Sequence, residues 1–549
     1  MRSLNIITRR AFLTRSTAVA LATLTDVPWM MKRALAQGGT IGSNGKKLLF
    51  IFLRGANDAL NSLIPIADPA YAISRPTLRI PTDPGSDYDA TGPCVEIQNS
   101  SSSDATFGYG FGIPCGNGFA ALHPSLRFLA QPYNAGELAL LHRVGYPRQN
   151  RSHFESQMNW ENAMPNTNAS EGVFYRTLAE AELLHNRPLA GVSIQSALPL
   201  LLQGKQGALL NMPDPSEFQL IGVPGNAAGK QRTIESLRFA NTIPFASKPN
   251  RELLRLHYRN LVEAQGILAD IHFEEDANTF MDDQMLDGES ERYHLFPTNV
   301  FKNGGGALHN NSPDKFVVSP GGYPLFQALK AAALILNQTD AVIAGTELDG
   351  WDTHVNQGNV TGTHASLLRN VGWALYALRK FFTIYGKGGS QAMAGAQAGW
   401  KDVVVVVMTE FGRTTVENSS LGTDHAEGGL MLLCGGNVQG FNAELSRSGI
   451  FGCSPADSYN GHSVPWQVGP NGSMFKVNGR YLRRMMDYRS VLGELIRNHL
   501  GASPEQLRRI IPGYANPAEM LETGGISVDN TRIVGELNLL ANGSTGTGA

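Results

Sequence analysis

VVVVVMTEFGRTTVENSSLGTDH, residues 403–425, is the stretch whose reading decides the fold. Five valines and a methionine form a run too short and too β-branched for a helix. It reads as a strand buried on both faces, the habit of a central strand in a parallel sheet. Apolar residues stop at Thr409, and Glu410, Phe411, Gly412 and Arg413 follow at the carboxyl end of the strand, the edge where open α/β sheets bind ligands. Eleven residues beyond Arg413, Asp424 and His425 sit in a Gly/Thr/Asn/Ser loop without apolar periodicity. An acid, an arginine and an Asp-His pair beyond one buried strand read as a site.

Working outward, the same strand-then-polar pattern recurs. KLLFIFL, residues 47–53, is a short strand that runs into Arg54, Gly55, Asn57, Asp58 and Asn61. There Asp58 and Asn61 are candidates to hold a metal or a substrate, although Asn and Asp also favour plain turns. LALLHRV, residues 138–144, is a second buried strand, followed by GYPRQNRSHFESQMNWE. Ser152 suits a helix cap, and Ser152 with His153 at a helix amino terminus suits an anion or a nucleophile. A short strand over 341–346 leads to LDGWDTH, where Asp352 and His354 are spaced to reach one ion. Helices are expected over 251–275, 326–337, 364–382 and 488–500, and a further strand over 430–434. Strands recurring between helices predict an α/β fold, a doubly wound and mostly parallel sheet.

At 549 residues the chain is long enough for a large core. With 42% hydrophobic and 17% charged residues and a formal charge of -2, it has no basic tract to attract nucleic acid. Thr8, Arg9, Arg10, Ala11, Phe12 and Leu13 carry the twin-arginine pattern, an apolar run follows over Ala18–Leu24, and Ala34-Leu35-Ala36 gives a small-x-small cleavage site. The expected organisation is a leader over 1–36, one domain over 37–520 with insertions near 67–120 and 165–320, and a loose tail over 521–549. The mature chain has no apolar run of about 18 residues to cross a membrane, and is expected in the periplasm or outside. Cys94 and Cys115, and Cys434 and Cys453, are each close in sequence, so two local disulfides are the simplest pairing in that compartment. A zinc site built from all four lacks a C-x-x-C spacing.

The leader, together with FLRGANDALN, LHPSL, GYPRQNRSHFESQMNWE, LDGWDTH, VVVMTEFGRT and GTDHAEGG, resembles the bacterial family catalogued as domain of unknown function 1501, the likeness running in order across the mature chain over about 45–515. That family is similar to the alkaline phosphatase and sulfatase superfamily, with metal ligands on loops at the carboxyl edge of a parallel sheet. The resemblance implies a first-strand carboxylate at Asp58, a nucleophile at Ser152 with His153 beside it, and ligands at Asp352, His354, Asp424 and His425. An Asp-His pair of the superfamily falls on Glu410 and Phe411, and phenylalanine cannot ligate, so one metal rather than two is expected. Zinc suits nitrogen-rich ligands; manganese, magnesium or calcium suit a carboxylate-rich set. The implied function is a secreted metal-dependent hydrolase of phosphate or sulfate esters, delivered by the twin-arginine machinery. Arg413, Arg54 or Arg151 would grip the anionic oxygens of its substrate. The alternative is a catalytically degenerate binding or assembly protein of the cell envelope.

Overall fold

A computed structural model describes most of the chain between residues 41 and 541. Residues 1–40, 95–109, 219–225, 243–248, 283–292, 299–317, 470–474, 476–480, 515–535 and 542–549 lie outside the described residues, as do a few single positions and shorter runs. The expected leader falls outside them, with parts of both insertions and most of the expected tail.

The main sheet contains β1 (Lys47–Leu53), β2 (Leu138–Gly145), β3 (Gly191–Ser193), β4 (Leu210–Asn211), β5 (Ile343–Leu348), β6 (Val403–Thr409), β7 (Gly429–Gly435), β8 (Ile450–Phe451) and β9 (Met486–Asp487). Their order is β8-β2-β7-β6-β1-β5-β3-β4, with β9 on β2. β1 lies between β5 and β6 and runs parallel to both, Phe50 facing Gly345 on one side and Val406 on the other. Only β7 is antiparallel to its neighbours among these pairings. It returns from the β6 turn, so β2 again points the same way as β6. The carboxyl ends of β1, β2, β5 and β6 and the start of β7 therefore share one edge.

Alternation along the strands explains the uniform burial. Leu49, Ile51, Val405 and Val407 belong to the core of one face, and Leu48, Phe50, Val404 and Val406 to that of the other. Successive strand residues point to opposite faces, so a strand covered on both sides is apolar throughout. Five helices matter here: α1 (His153–Asn162), α2 (Val173–Glu180), α3 (Tyr323–Gln338), α4 (Thr363–Ile384) and α5 (Tyr488–Glu494). α3 and α4 fill the first face, while α2 and α5 fill the second. The helix expected over 251–275 is Pro249–Ala269. This is the expected α/β architecture.

Three expectations are corrected. All four cysteines are free and buried. The Cys94 and Cys115 sulfurs touch at 3.7 Å without a bond. Cys434 lies on β7 and Cys453 just beyond β8, with β2 between those strands. Two strand spacings amount to about 9–10 Å, beyond the roughly 7 Å that a disulfide spans between Cα atoms. The segment 67–120 is not only a surface excursion, because Tyr71, Ile80, Ile113 and Phe119 enter the core. Of the expected tail, residues 536–541 return to the body: Leu537, Leu539 and Leu540 are buried, and the Gln439 N–H bonds the Leu539 carbonyl.

Candidate metal centre

Three loops at the shared edge carry the site, and the strands explain why they meet. α1 begins at His153 shortly after β2. Asp352 and His354 follow β5, and the β6–β7 connection brings Glu410 and His425 to the same place. That connection folds back on itself through an isolated bridge between Arg413 and His425, with the Ala426 N–H on the Gly412 carbonyl. Gly55, at φ 109°, lets the β1 turn pass directly beneath the Asp352 backbone, where an added Cβ would lie 2.6 Å from the Asp352 nitrogen. Gly422 does the same against the His354 carbonyl, at 2.2 Å.

The imidazoles converge through their Nε2 atoms. His425 Nε2 lies 2.9 Å from that of His153 and 2.9 Å from that of His354. Asp352 Oδ1 completes two triangles on the shared His425–Asp352 edge, at 3.2 Å from His425, 3.4 Å from His153 and 3.0 Å from His354. The ligand atoms of His153, Asp352 and His425 all lie within 4.8 Å of one another. All four side chains are partly exposed, so water or a substrate reaches them.

Behind each ring stands an acceptor. His153 Nδ1 donates to Glu410 Oε1 at 2.8 Å, His354 Nδ1 to Asp424 Oδ1 at 3.1 Å, and His425 Nδ1 to the Arg151 carbonyl at 2.8 Å. A carboxylate or carbonyl only accepts, so every Nδ1 holds its proton and every neutral Nε2 presents a lone pair. Lone pairs at 2.9 Å repel unless a cation or extra protons lie between them. Such carboxylate–histidine pairs are the usual outer support of a metal site. Zinc fits this imidazole-rich donor set, whereas magnesium and calcium, which prefer oxygen, fit it less well.

The charges are set by the same contacts. Burial pushes the Asp352 carboxyl up, but the Arg413 hydrogen bond and charge outweigh it and hold the carboxyl at about 2. The Glu410 hydrogen bond raises His153 above the ordinary histidine value. Burial, then the Arg413 and His153 charges, lowers His425. Glu410 is fully buried, and burial would raise it; hydrogen bonds from His153, Gln157 and the Gly55 N–H outweigh burial and keep it ionised.

Of the residues singled out from sequence, Asp352, His354 and His425 come together as donors. His153, expected beside a nucleophile, joins them. Glu410 and Asp424, also expected as ligands, instead accept from the Nδ1 atoms of His153 and His354. Phe411 packs against the rings of His153 and His425, each at 4.9 Å between centroids. Asp58 stands apart from the cluster: it is buried and takes a bidentate ion pair from Arg75, at 2.5 and 3.0 Å. Asn61 bonds Arg75, Tyr71 and the Leu78 carbonyl instead of facing a ligand. Arg413 is buried, spent on the Gly55, Ala56, Trp351 and Thr423 carbonyls and on Asp352 at 2.6 Å. Arg54 is spent on Glu161 at 2.5 Å and Glu347 at 3.0 Å. Arg151 is exposed, with its guanidinium over the ring of Tyr481 at 4.6 Å. Ser152 occupies the cap position of α1, yet its hydroxyl makes no cap bond. Gln157, one turn beyond His153, and Asn418, which bonds Asp424 at 2.9 Å, were not singled out. For Gln157 the signal was available, since residues four apart share a helix face.

Fold and site together define an α/β protein whose strand-edge loops form a three-histidine, one-aspartate cluster. The chain belongs to the family described as Protein of unknown function (DUF1501), whose model matches residues 45–443 and so spans the cluster. No curated protein and no solved structure matches it.

Proposed function

We propose that this protein is an exported metal-dependent hydrolase of phosphate or sulfate esters, working with one divalent cation held by His153, Asp352 and His425, with His354 against His425 on the other side of Asp352. The observation that carries the reading is the meeting of three Nε2 atoms and Asp352 Oδ1, each imidazole backed by an acceptor on Nδ1. A cation bound there supplies Lewis acidity toward an ester oxygen and activates a water at neutral pH. Phe411, in place of the imidazole that the superfamily likeness leads one to expect, supports one cation rather than two.

The protein's own groups favour an anion at this point. His153 is the first residue of α1, so the positive amino end of that helix lies beside the cluster, where a phosphate or sulfate would be stabilised. Arg151 is the exposed arginine next to it, tied in by its carbonyl on His425. Ser152 has no imidazole on its hydroxyl among the described residues, so water is the nucleophile in this reading. Phe154 and Val355 directly follow His153 and His354 and are 88% and 62% exposed, which suits an ester with an apolar leaving group. In this reading residues 1–36 act as a twin-arginine leader and the reaction runs in the periplasm or beyond; no helix among the described residues is long and apolar enough to cross a membrane.

The test is metal analysis of protein isolated from the periplasm without refolding, with turnover of chromogenic aryl phosphates and sulfates. About one zinc or manganese per chain, with turnover lost on chelation and restored by the metal, is expected. Protein without metal and without turnover overturns the reading. Stoichiometric metal without turnover on any ester favours the alternative, a binding or assembly protein of the cell envelope. The consumption of Arg54 and Arg413 by internal pairs supports that alternative.

A further inference from the structure

Asp58 was singled out as a ligand and is not used as one, yet it lies under the site at the centre of a buried network. Gln357 Nε2 donates to Asp58 Oδ2 at 2.6 Å. The Oε1 atom of Gln357 accepts two hydroxyls, from Thr353 at 2.9 Å and from Thr423 at 2.7 Å. Thr353 stands between Asp352 and His354, and Thr423 directly precedes Asp424 and His425. One amide therefore holds both ligand loops. Its backbone joins them again, the Gln357 N–H bonding the Leu421 carbonyl, while the Thr423 N–H bonds the Thr353 carbonyl.

The anchor below is rigid. Asp58 and Gln357 are fully buried, and Arg75, also buried, adds bonds to the Thr414 and Thr415 carbonyls of the same β6–β7 connection. Asp58 has only acceptors, so it fixes which end of the Gln357 amide faces down, and the carbonyl end then faces the two threonines. A buried amide whose nitrogen and oxygen ends both find partners has a single orientation, and removing it strands the Thr353 and Thr423 hydroxyls.

We propose that Gln357 is the positioning residue that sets the metal affinity of the candidate site, by locking the 352–354 and 423–425 loops in register from beneath. This rests on the reading that the cluster binds a cation. Gln357 touches neither cation nor substrate; it acts through Thr353 and Thr423.

Zinc affinity, measured by chelator competition on the full chain, and the visible spectrum of the cobalt(II)-loaded protein separate this from a purely structural role. Gln357→Met is expected to weaken zinc about 10- to 100-fold, the usual effect of losing outer support, and to alter the cobalt bands. Gln357→Glu sets two carboxylates against each other and is expected to weaken zinc as well. The double variant Asp58→Asn/Gln357→Glu removes the repulsion between the two carboxylates and is expected to bind zinc more tightly than Gln357→Glu alone, with affinity short of the parent because an amide at position 58 accepts only one of the two Arg75 bonds. If Gln357→Met does not fold, the single Glu variant and the double variant decide the matter. Zinc affinity within about twofold of the parent in Gln357→Met, with only thermal stability lowered, overturns the proposal. A double variant no tighter than the single Glu variant also overturns it. A parent protein that binds no zinc or cobalt fails first at the metal reading itself, which these variants then do not need to address.

Discussion

At the scale of single residues, the cluster separates side chains that converge from side chains that aim them. His425 touches both other imidazoles and Asp352. His425→Ala is therefore expected to abolish stoichiometric metal, as read by elemental analysis, while circular dichroism stays that of the parent. Glu410→Gln keeps the size of the side chain and one acceptor but loses the charge that orders His153. Metal affinity about 10- to 100-fold lower, with the fold intact, is the expected outcome in a chelator titration. Retained affinity would make Glu410 a core residue only. Ser152→Ala is expected to leave ester turnover close to that of the parent, since nothing among the described residues activates its hydroxyl; a loss of two orders of magnitude would restore Ser152 as the nucleophile.

Elements and the turns that join them set how closely the loops approach. Gly55 combines a positive φ with backbone directly above it, so Gly55→Ala meets both conformational strain and a clash at 2.6 Å from the Asp352 nitrogen. Strain of this kind costs about 1–3 kcal/mol. Gly55→Ala should lower the midpoint of urea unfolding and weaken metal binding together. Gly45 also has a positive φ, but nothing lies within 4 Å of its added Cβ, so Gly45→Ala should lower stability alone. Equal metal affinity in the two variants would show that the Gly55 contact has no bearing on the site.

Across the whole molecule, the described part of the carboxyl terminus seals the sheet by way of a buried acid. Glu494 accepts the Leu537 and Leu540 N–H groups, each at 3.2 Å. Burial, then the charge of Glu536, pushes its carboxyl up to about 7. Because the folded value exceeds the unfolded 4.5, the native state binds more protons between those limits. The stability this group contributes is full below pH 4.5 and is lost as pH rises toward 7. The span amounts to about 3 kcal/mol at most. Glu494→Gln should flatten the decline of melting temperature between pH 5 and 7, and a parallel decline in both proteins would remove Glu494 as its source.

How much of this was legible in the sequence depends on the range of the interactions involved. Val403–Thr409 and Lys47–Leu53 declared themselves as doubly covered strands because burial on both faces leaves no room for polar side chains, and that constraint is local. Glu410 was legible for the same reason, at the abrupt end of an apolar run, and Asp352, His354 and His425 as polar residues on loops that follow a strand. Tertiary structure alone decided which tips meet. Whether an acid ligates, orients a ring or pairs with Arg75 depends on partners up to 355 residues away, as between Gly55 and Glu410. The antiparallel return of β7 likewise put a strand between Cys434 and Cys453, a separation that nearness in sequence could not reveal.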